Sequence, residues 1–284
     1  MSNNLLNLLP SLLIILVVIV VYMIKNEFLV IPNMYFRYNS YYRDGYYNNL
    51  INNIQDAPFR ITKIHNKSDN DKIFTVSIYG NNPKYINGLR RLITNSIDSS
   101  LDWTLRVYCH DQADPNLIQE LINNPKIETY IVDDPIVVPG NSAGMFWRFM
   151  PLSEDITFMT LDVDEDNRML KDPEALTKWL KSNKGFFRFG NTVFPWAKTH
   201  LCGKYFGRKK GYSKVDPKII THYPLRSPFG ADEIFEQQVA GPLVQKDGVM
   251  TYIPKSLLRK IMFQLSPSKS TFGKYNKYID EIIY

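Results

Sequence analysis

Cysteine and histidine are scarce in this chain, with two and four residues among 284. Cys109 and Cys202 lie far apart, which excludes the dense disulfide framework of a small secreted domain. His65, His110, His200 and His222 form no His-x-x-x-His pair, and there is no Cys-x-x-Cys, so zinc has no basis and any metal must be held by oxygen. A dense basic stretch is also lacking. The net charge is +6, but Lys and Arg are dispersed, and the tightest cluster is Arg208-Lys209-Lys210 with Lys204 nearby. Nucleic acid is therefore not expected as a partner, and the cluster is left unassigned between a diphosphate contact and solvated loop surface. No internal repeat with a period of about 20 to 50 residues is present, which sets aside solenoids and propellers.

What is present begins with one long apolar run. Residues 5–24, LLNLLPSLLIILVVIVVYMI, carry no charge and match the roughly 20 residues a helix needs to cross hydrocarbon. No small-residue cleavage site follows, so an uncleaved anchor is expected rather than a signal peptide. The protein is thus expected at a membrane as a single-pass protein with an N-terminal anchor. Lys25, Arg37 and Arg43 after the span favour a cytoplasmic domain by the positive-inside rule. The sequon Asn66-Lys67-Ser68 would be usable on the luminal side, and the sidedness stays open. The Asn-, Ile- and Lys-rich usage is consistent with an AT-rich genome such as that of a large virus, in which case the membrane is the host's.

Charged residues at 22% and apolar residues at 44% describe a globular remainder. The expected organisation is a tail at 1–4, the anchor at 5–24, a Tyr- and Asn-rich stem at 25–70 and one domain at 71–284. Apolar β-branched runs at 73–80, 103–110, 127–132, 156–163 and 186–189 alternate with helical patterns at 83–97, 115–122, 143–152 and 173–182. This order predicts an α/β fold with a mostly parallel sheet and helices on both faces.

The fourth of these apolar runs, ITFMTLDV, runs directly into DEDNRML. Asp162, Asp164 and Asp166 therefore leave the end of a buried strand, where loops of parallel sheets face a ligand crevice. Carboxylates so spaced can hold Mg²⁺ or Mn²⁺ beside phosphate oxygens. A solvated turn or a helix cap would use the same residues. A calcium loop is excluded, since its sixth and twelfth positions would fall on Asn167 and Pro173. A haloacid-dehalogenase-like phosphatase would use Asp162 as nucleophile and Asp164 as acid/base.

Further motifs extend the pattern: Ser77-Ile78-Tyr79-Gly80, Pro83-Lys84-Tyr85, Gly144-Met145-Phe146-Trp147-Arg148-Phe149, Asp164-Glu165-Asp166-Asn167-Arg168, Pro173-Glu174-Ala175, Trp179-Leu180 and Phe229-Gly230-Ala231-Asp232-Glu233. Taken in order over about residues 73–245, they resemble a GT-A-type (DxD) glycosyltransferase-like family of large DNA viruses, algae and bacteria. The resemblance implies a nucleotide-diphospho-sugar-transferase sheet, a nucleotide-sugar donor, a hydroxyl-bearing glycan, protein or lipid acceptor, and Mn²⁺ or Mg²⁺. It places the metal on Asp164 and Asp166, and the nucleotide near Tyr79, Gly80, Lys84, Arg148 and Asp164. Asp232 becomes the candidate for acceptor activation, with helix N-cap as its plain alternative. The chain departs from the family at the site: Val163 and Asn167 stand where Arg and Ser are usual, and Phe189-Gly190-Asn191-Thr192 replaces an Arg-Asp-His-Pro segment. A catalytically inactive module with the same fold is therefore the alternative function.

Overall fold

The apolar run Ile73–Ile78 forms the centre of the sheet because its side chains are buried on both faces of the strand. The computed structural model describes residues 58–137, 143–164, 170, 173–189, 205–223, 226 and 231–252. By backbone contacts the chain divides into two units, residues 1–34, 189–199 and 251–284 in one and 35–188 and 200–250 in the other. Apart from Phe189, Thr251 and Tyr252, every described residue belongs to the second. The predicted anchor at 5–24 lies outside the described residues. Among the described residues no helix is long and apolar enough to cross a membrane.

In chain order the elements are β1 (Arg60–His65), β2 (Lys72–Ile78), α1 (Pro83–Ile97), β3 (Thr104–His110), α2 (Pro115–Ile122) and β4 (Ile127–Asp133). A 3₁₀ helix (Ala143–Ser153) leads to β5 (Thr157–Thr160), α3 (Pro173–Lys181), β6 (Phe186–Phe189), β7 (Gly207–Arg208) and α4 (Pro217–Thr221). Then follow α5 (Ala231–Phe235), a π-helical turn (Glu236–Ala240), α6 (Gly241–Asp247) and β8 (Val249–Tyr252). The strands form one mixed sheet in the order β1-β4-β3-β2-β5-β7-β6-β8. Its core of β4, β3, β2 and β5 is parallel, while β1 joins β4 and β7 joins both β5 and β6 antiparallel. The α/β class and the parallel core agree with the sequence pattern.

Several local expectations change. The sheet begins at Arg60, inside the segment expected to be stem. That edge strand alternates poorly and exposes Ile64 by 48%, so it carries no apolar signature. Residues 143–153 wind as a 3₁₀ helix with Pro151 inside, although the helical spacing was there, because proline supplies no N–H for an α-helical bond. β5 stops at Thr160, the fifth residue of an eight-residue apolar run, where its register with β2 also ends at the pair Thr75–Thr160.

Three of the α-helices, α1, α2 and α4, start at a side-chain cap. Asn82, Asp114 and Asp216 each accept a hydrogen bond from the backbone N–H two residues on, and each is followed by proline. Buried ions pin the sheet's register. Arg106 of β3 faces Glu128 of β4 across the parallel ladder and also donates to Glu154 at 2.7 Å. The basic cluster at 208–210 is structural. Arg208 is fully buried and donates to the carbonyls of Pro151, Glu154, Ile156 and Tyr212. Lys209 Nζ meets the carbonyls of Trp179 and Ser182 at the end of α3, and Lys210 pairs with Asp71 at 3.1 Å.

Candidate functional site

Strand order locates the site before any side chain does. From β2 the chain steps outward to β3 and β4, then returns past β2 to lay down β5 on its other side. The connections therefore diverge beyond the carboxyl ends of β2 and β5, leaving a crevice between them, and this is where ligands bind in open α/β sheets. Tyr79 and Gly80 follow β2, and Asp162 and Asp164 follow β5.

Lys84 reaches the crevice from the first turn of α1. Its Nζ donates to Asp164 Oδ2 at 2.7 Å, with side-chain exposures of 63% and 27%. The hydrogen bond and charge of Asp164 hold the Lys84 amine above its ordinary range. Gly80 has φ +68°, in the left-handed region, and a Cβ placed there would meet nothing within 4 Å. Its glycine thus answers a backbone requirement rather than the close approach of a ligand. Gly88 in α1 is there for contact: a Cβ would strike the Val163 carbonyl, with the carbonyl carbon at 2.8 Å. The helix backbone therefore rests directly on the loop that carries Asp164.

Arg148 is the interior counterpart. It is 4% exposed, and the 3₁₀ helix is fastened to β2 on either side of it, Thr75 Oγ1 donating to the Arg148 carbonyl at 2.7 Å and Arg148 N donating to Ser77 Oγ at 3.1 Å. Its Nη1 donates to Asp162 Oδ1 and to the Leu161 carbonyl, and its Nη2 to Asp232 Oδ2 at 3.0 Å. Burial opposes the charge, but Asp162, Asp232 and Glu236 together more than offset it and hold the guanidinium protonated, above its usual range. Tyr79 lies against this group. Its ring packs on the Gly144 backbone, where a Cβ would sit 2.6 Å from Cγ, and meets Trp147 edge-on at 5.9 Å. Burial pushes its phenol up to about 12, with Arg148 pulling down and Asp232, Tyr85 and Asp162 adding to the rise.

Of the residues singled out from sequence, Tyr79, Arg148, Asp162 and Asp232 come together in one electrostatic group, and Lys84 and Asp164 form a second pair at the same strand end. Asp166 lies outside the described residues, as do Glu165, Asn167 and Arg168. Asp232 lies inside α5 as its second residue rather than before the helix, is 5% exposed, and its Oδ2 accepts from Arg148 Nη2.

Other contributors escaped notice. Glu236, fully buried one helical turn after Asp232, begins the π-helical turn; the Asp232–Glu236 spacing of four was the available signal. Asp134, at the end of β4, accepts from Trp147 Nε1 at 2.8 Å and from Arg226. His110, at the end of β3, stacks on Trp147 at 5.6 Å. Asp134 and Arg226 are separated by 92 residues, so no local pattern could have linked them.

Among the described residues no group of three or more His, Cys, Asp and Glu side chains is assembled to hold a metal. The donors present nevertheless suit a hard divalent cation. Asp164 is partly exposed and already holds a cation, the Lys84 ammonium, on Oδ2. Asp162 Oδ2 and Asp164 Oδ1 have no hydrogen-bond partner among the described residues. In comparison with known proteins, no family model and no curated protein matches the chain.

Proposed function

We propose that the protein is a membrane-anchored, metal-dependent glycosyltransferase that moves a sugar from a nucleotide-sugar to a hydroxyl-bearing glycan, protein or lipid acceptor. The observation that carries this reading is the gathering of Asp162, Asp164, Lys84, Tyr79 and Arg148 around the switch point between β2 and β5. Carboxylates beside lysine and a backbone turn suit a diphosphate brought in with its cation. Mn²⁺ or Mg²⁺ on Asp164 and Asp166 would supply charge neutralisation for the departing diphosphate.

The chain's own residues divide the remaining work. Lys84, on an exposed side chain, is placed to meet phosphate oxygens as a point charge. Gly80 and Tyr79 shape the turn beneath a nucleotide. Arg148 holds Asp162 and Asp232 at fixed positions across the crevice floor. Asp232, with 7% side-chain exposure, is better placed to orient Arg148 than to meet an acceptor. Acceptor activation by Asp232 would require that pair to open.

A non-catalytic binding module is the second reading, favoured by one fact: the two described carboxylates after β5, Asp162 and Asp164, are already paired with cations of the chain. The phosphatase reading is weakened by the same geometry, because a buried guanidinium on Asp162 Oδ1 blunts it as a nucleophile. Thermal shift with Mn²⁺ and a panel of nucleoside-diphosphate sugars tests the proposal. A donor should stabilise the wild type only with metal, and Asp164→Asn should lose that stabilisation while unfolding normally without ligand. Equal stabilisation of both proteins overturns the metal assignment. Stabilisation without turnover of any hydroxyl acceptor favours the binding module.

A further inference from the structure

The pair between Lys84 and Asp164 has features that a surface ion pair does not need. Lys84 occupies the first turn of α1, where the helix dipole disfavours positive charge and where no acidic residue is present to relieve it. Its partner is 80 residues away, on the loop after β5. The two ends are held apart by rigid means: Asn82 caps α1 by accepting from Lys84 N, and the α1 backbone at Gly88 rests on the Val163 carbonyl. The lysine side chain, 63% exposed, is the movable part of this contact. Asp164 meets the ammonium through one oxygen only.

We infer that the Lys84 ammonium is an internal stand-in for the divalent cation, occupying Asp164 until a metal displaces it and frees the lysine for the incoming phosphates. This rests on the metal-dependent reading above. Two cations compete for one carboxylate, so metal alone binds weakly. Metal that arrives with a diphosphate binds better, because the displaced ammonium then finds new oxygens. The chain is thereby guarded against holding metal without donor.

The test is direct Mn²⁺ binding to the full-length protein, read from the electron paramagnetic resonance signal of free Mn²⁺, with and without a nucleoside diphosphate. Lys84→Met removes the charge and keeps the stem. Lys126→Met, just before β4 and so at the opposite end of the parallel strands, controls for net charge. Without nucleotide, Lys84→Met should bind Mn²⁺ about three- to tenfold more tightly than wild type, the range set by an exposed pair plus the removed repulsion. Lys126→Met should match wild type. The gain in Mn²⁺ affinity that nucleoside diphosphate confers on wild type should shrink in Lys84→Met. Unchanged or weaker Mn²⁺ binding by Lys84→Met, with binding still lost in Asp164→Asn, overturns the displacement and leaves the metal site standing. Absence of Mn²⁺ binding in wild type and Lys84→Met alike, with nucleotide present, overturns both.

Discussion

Arg148 holds more of the site together than any other residue described. A guanidinium among Phe146, Trp147 and Phe149 is costly to bury, and the cost is met only because Asp162 and Asp232 arrive from elements 14 and 84 residues away. Removing the charge leaves Asp232 buried, and Asp162 partly buried, without their cation. Arg148→Met should therefore lower unfolding stability by about 3 to 5 kcal/mol, the usual cost of breaking a buried pair from one side; urea denaturation measures it. A loss below about 1 kcal/mol would show that the carboxylates find other partners. Lysine should not substitute well, since one ammonium cannot reproduce the fork that meets Asp162 and Asp232 on separate nitrogens.

At the scale of elements, the contact between α1 and the loop after β5 sets where Asp164 stands. In Gly88→Ala two effects oppose each other. Alanine raises helix propensity by roughly 1 kcal/mol. The new Cβ meets backbone at Val163, which cannot turn aside as a side chain would, and overpacking of this kind costs about 1 to 3 kcal/mol. A net loss in thermal stability is expected, together with weaker Mn²⁺ binding because Asp164 is pushed from its place. A variant as stable as wild type would mean that the loop yields freely. The same contact explains part of what the sequence did not disclose. Gly88 carries no local mark of this contact, since its neighbour Val163 lies 75 positions later. Elements with strong local signals were legible: α1, α2 and β6 have the expected bounds, β3, β4 and α3 differ by one residue at one end, and β2 starts one residue and ends two residues earlier than expected. β7, with two residues, and β1, with four of its six residues exposed and no alternation, carry no local signal.

At the scale of the whole molecule, buried weak acids make stability fall on the alkaline side. Burial pushes the Cys109 thiol from 9.0 to about 12, with Asp111 adding, and pushes the Tyr79 phenol from 10.0 to about 12. The folded protein therefore keeps protons that the unfolded chain has already released. Stability supplied by these groups is complete below pH 9 and is lost as pH rises toward 12. Urea midpoints should decline across that window, and Cys109→Ala should remove the part of the decline that begins at pH 9. A flat profile would mean that both groups ionise as freely in the folded protein as in the unfolded one.

By itself the sequence determined the α/β class, the parallel core and the presence of carboxylates at the end of β5, because periodicity, β-branching and capping act over a few residues. It also put Tyr79, Lys84, Arg148 and Asp232 among the candidates. Only the tertiary structure decided what these residues do to one another. It showed that Lys84 neutralises Asp164, that Arg148 joins Asp162 to Asp232, that Gly80 serves a backbone angle, and that in the basic cluster Arg208 and Lys209 meet carbonyls while Lys210 pairs with Asp71. Each of these rests on contacts between residues far apart in the chain or on a backbone angle fixed by its surroundings. Such contacts form only when the sheet brings the ends of β2 and β5 side by side, and local sequence carries no record of which distant partner will arrive.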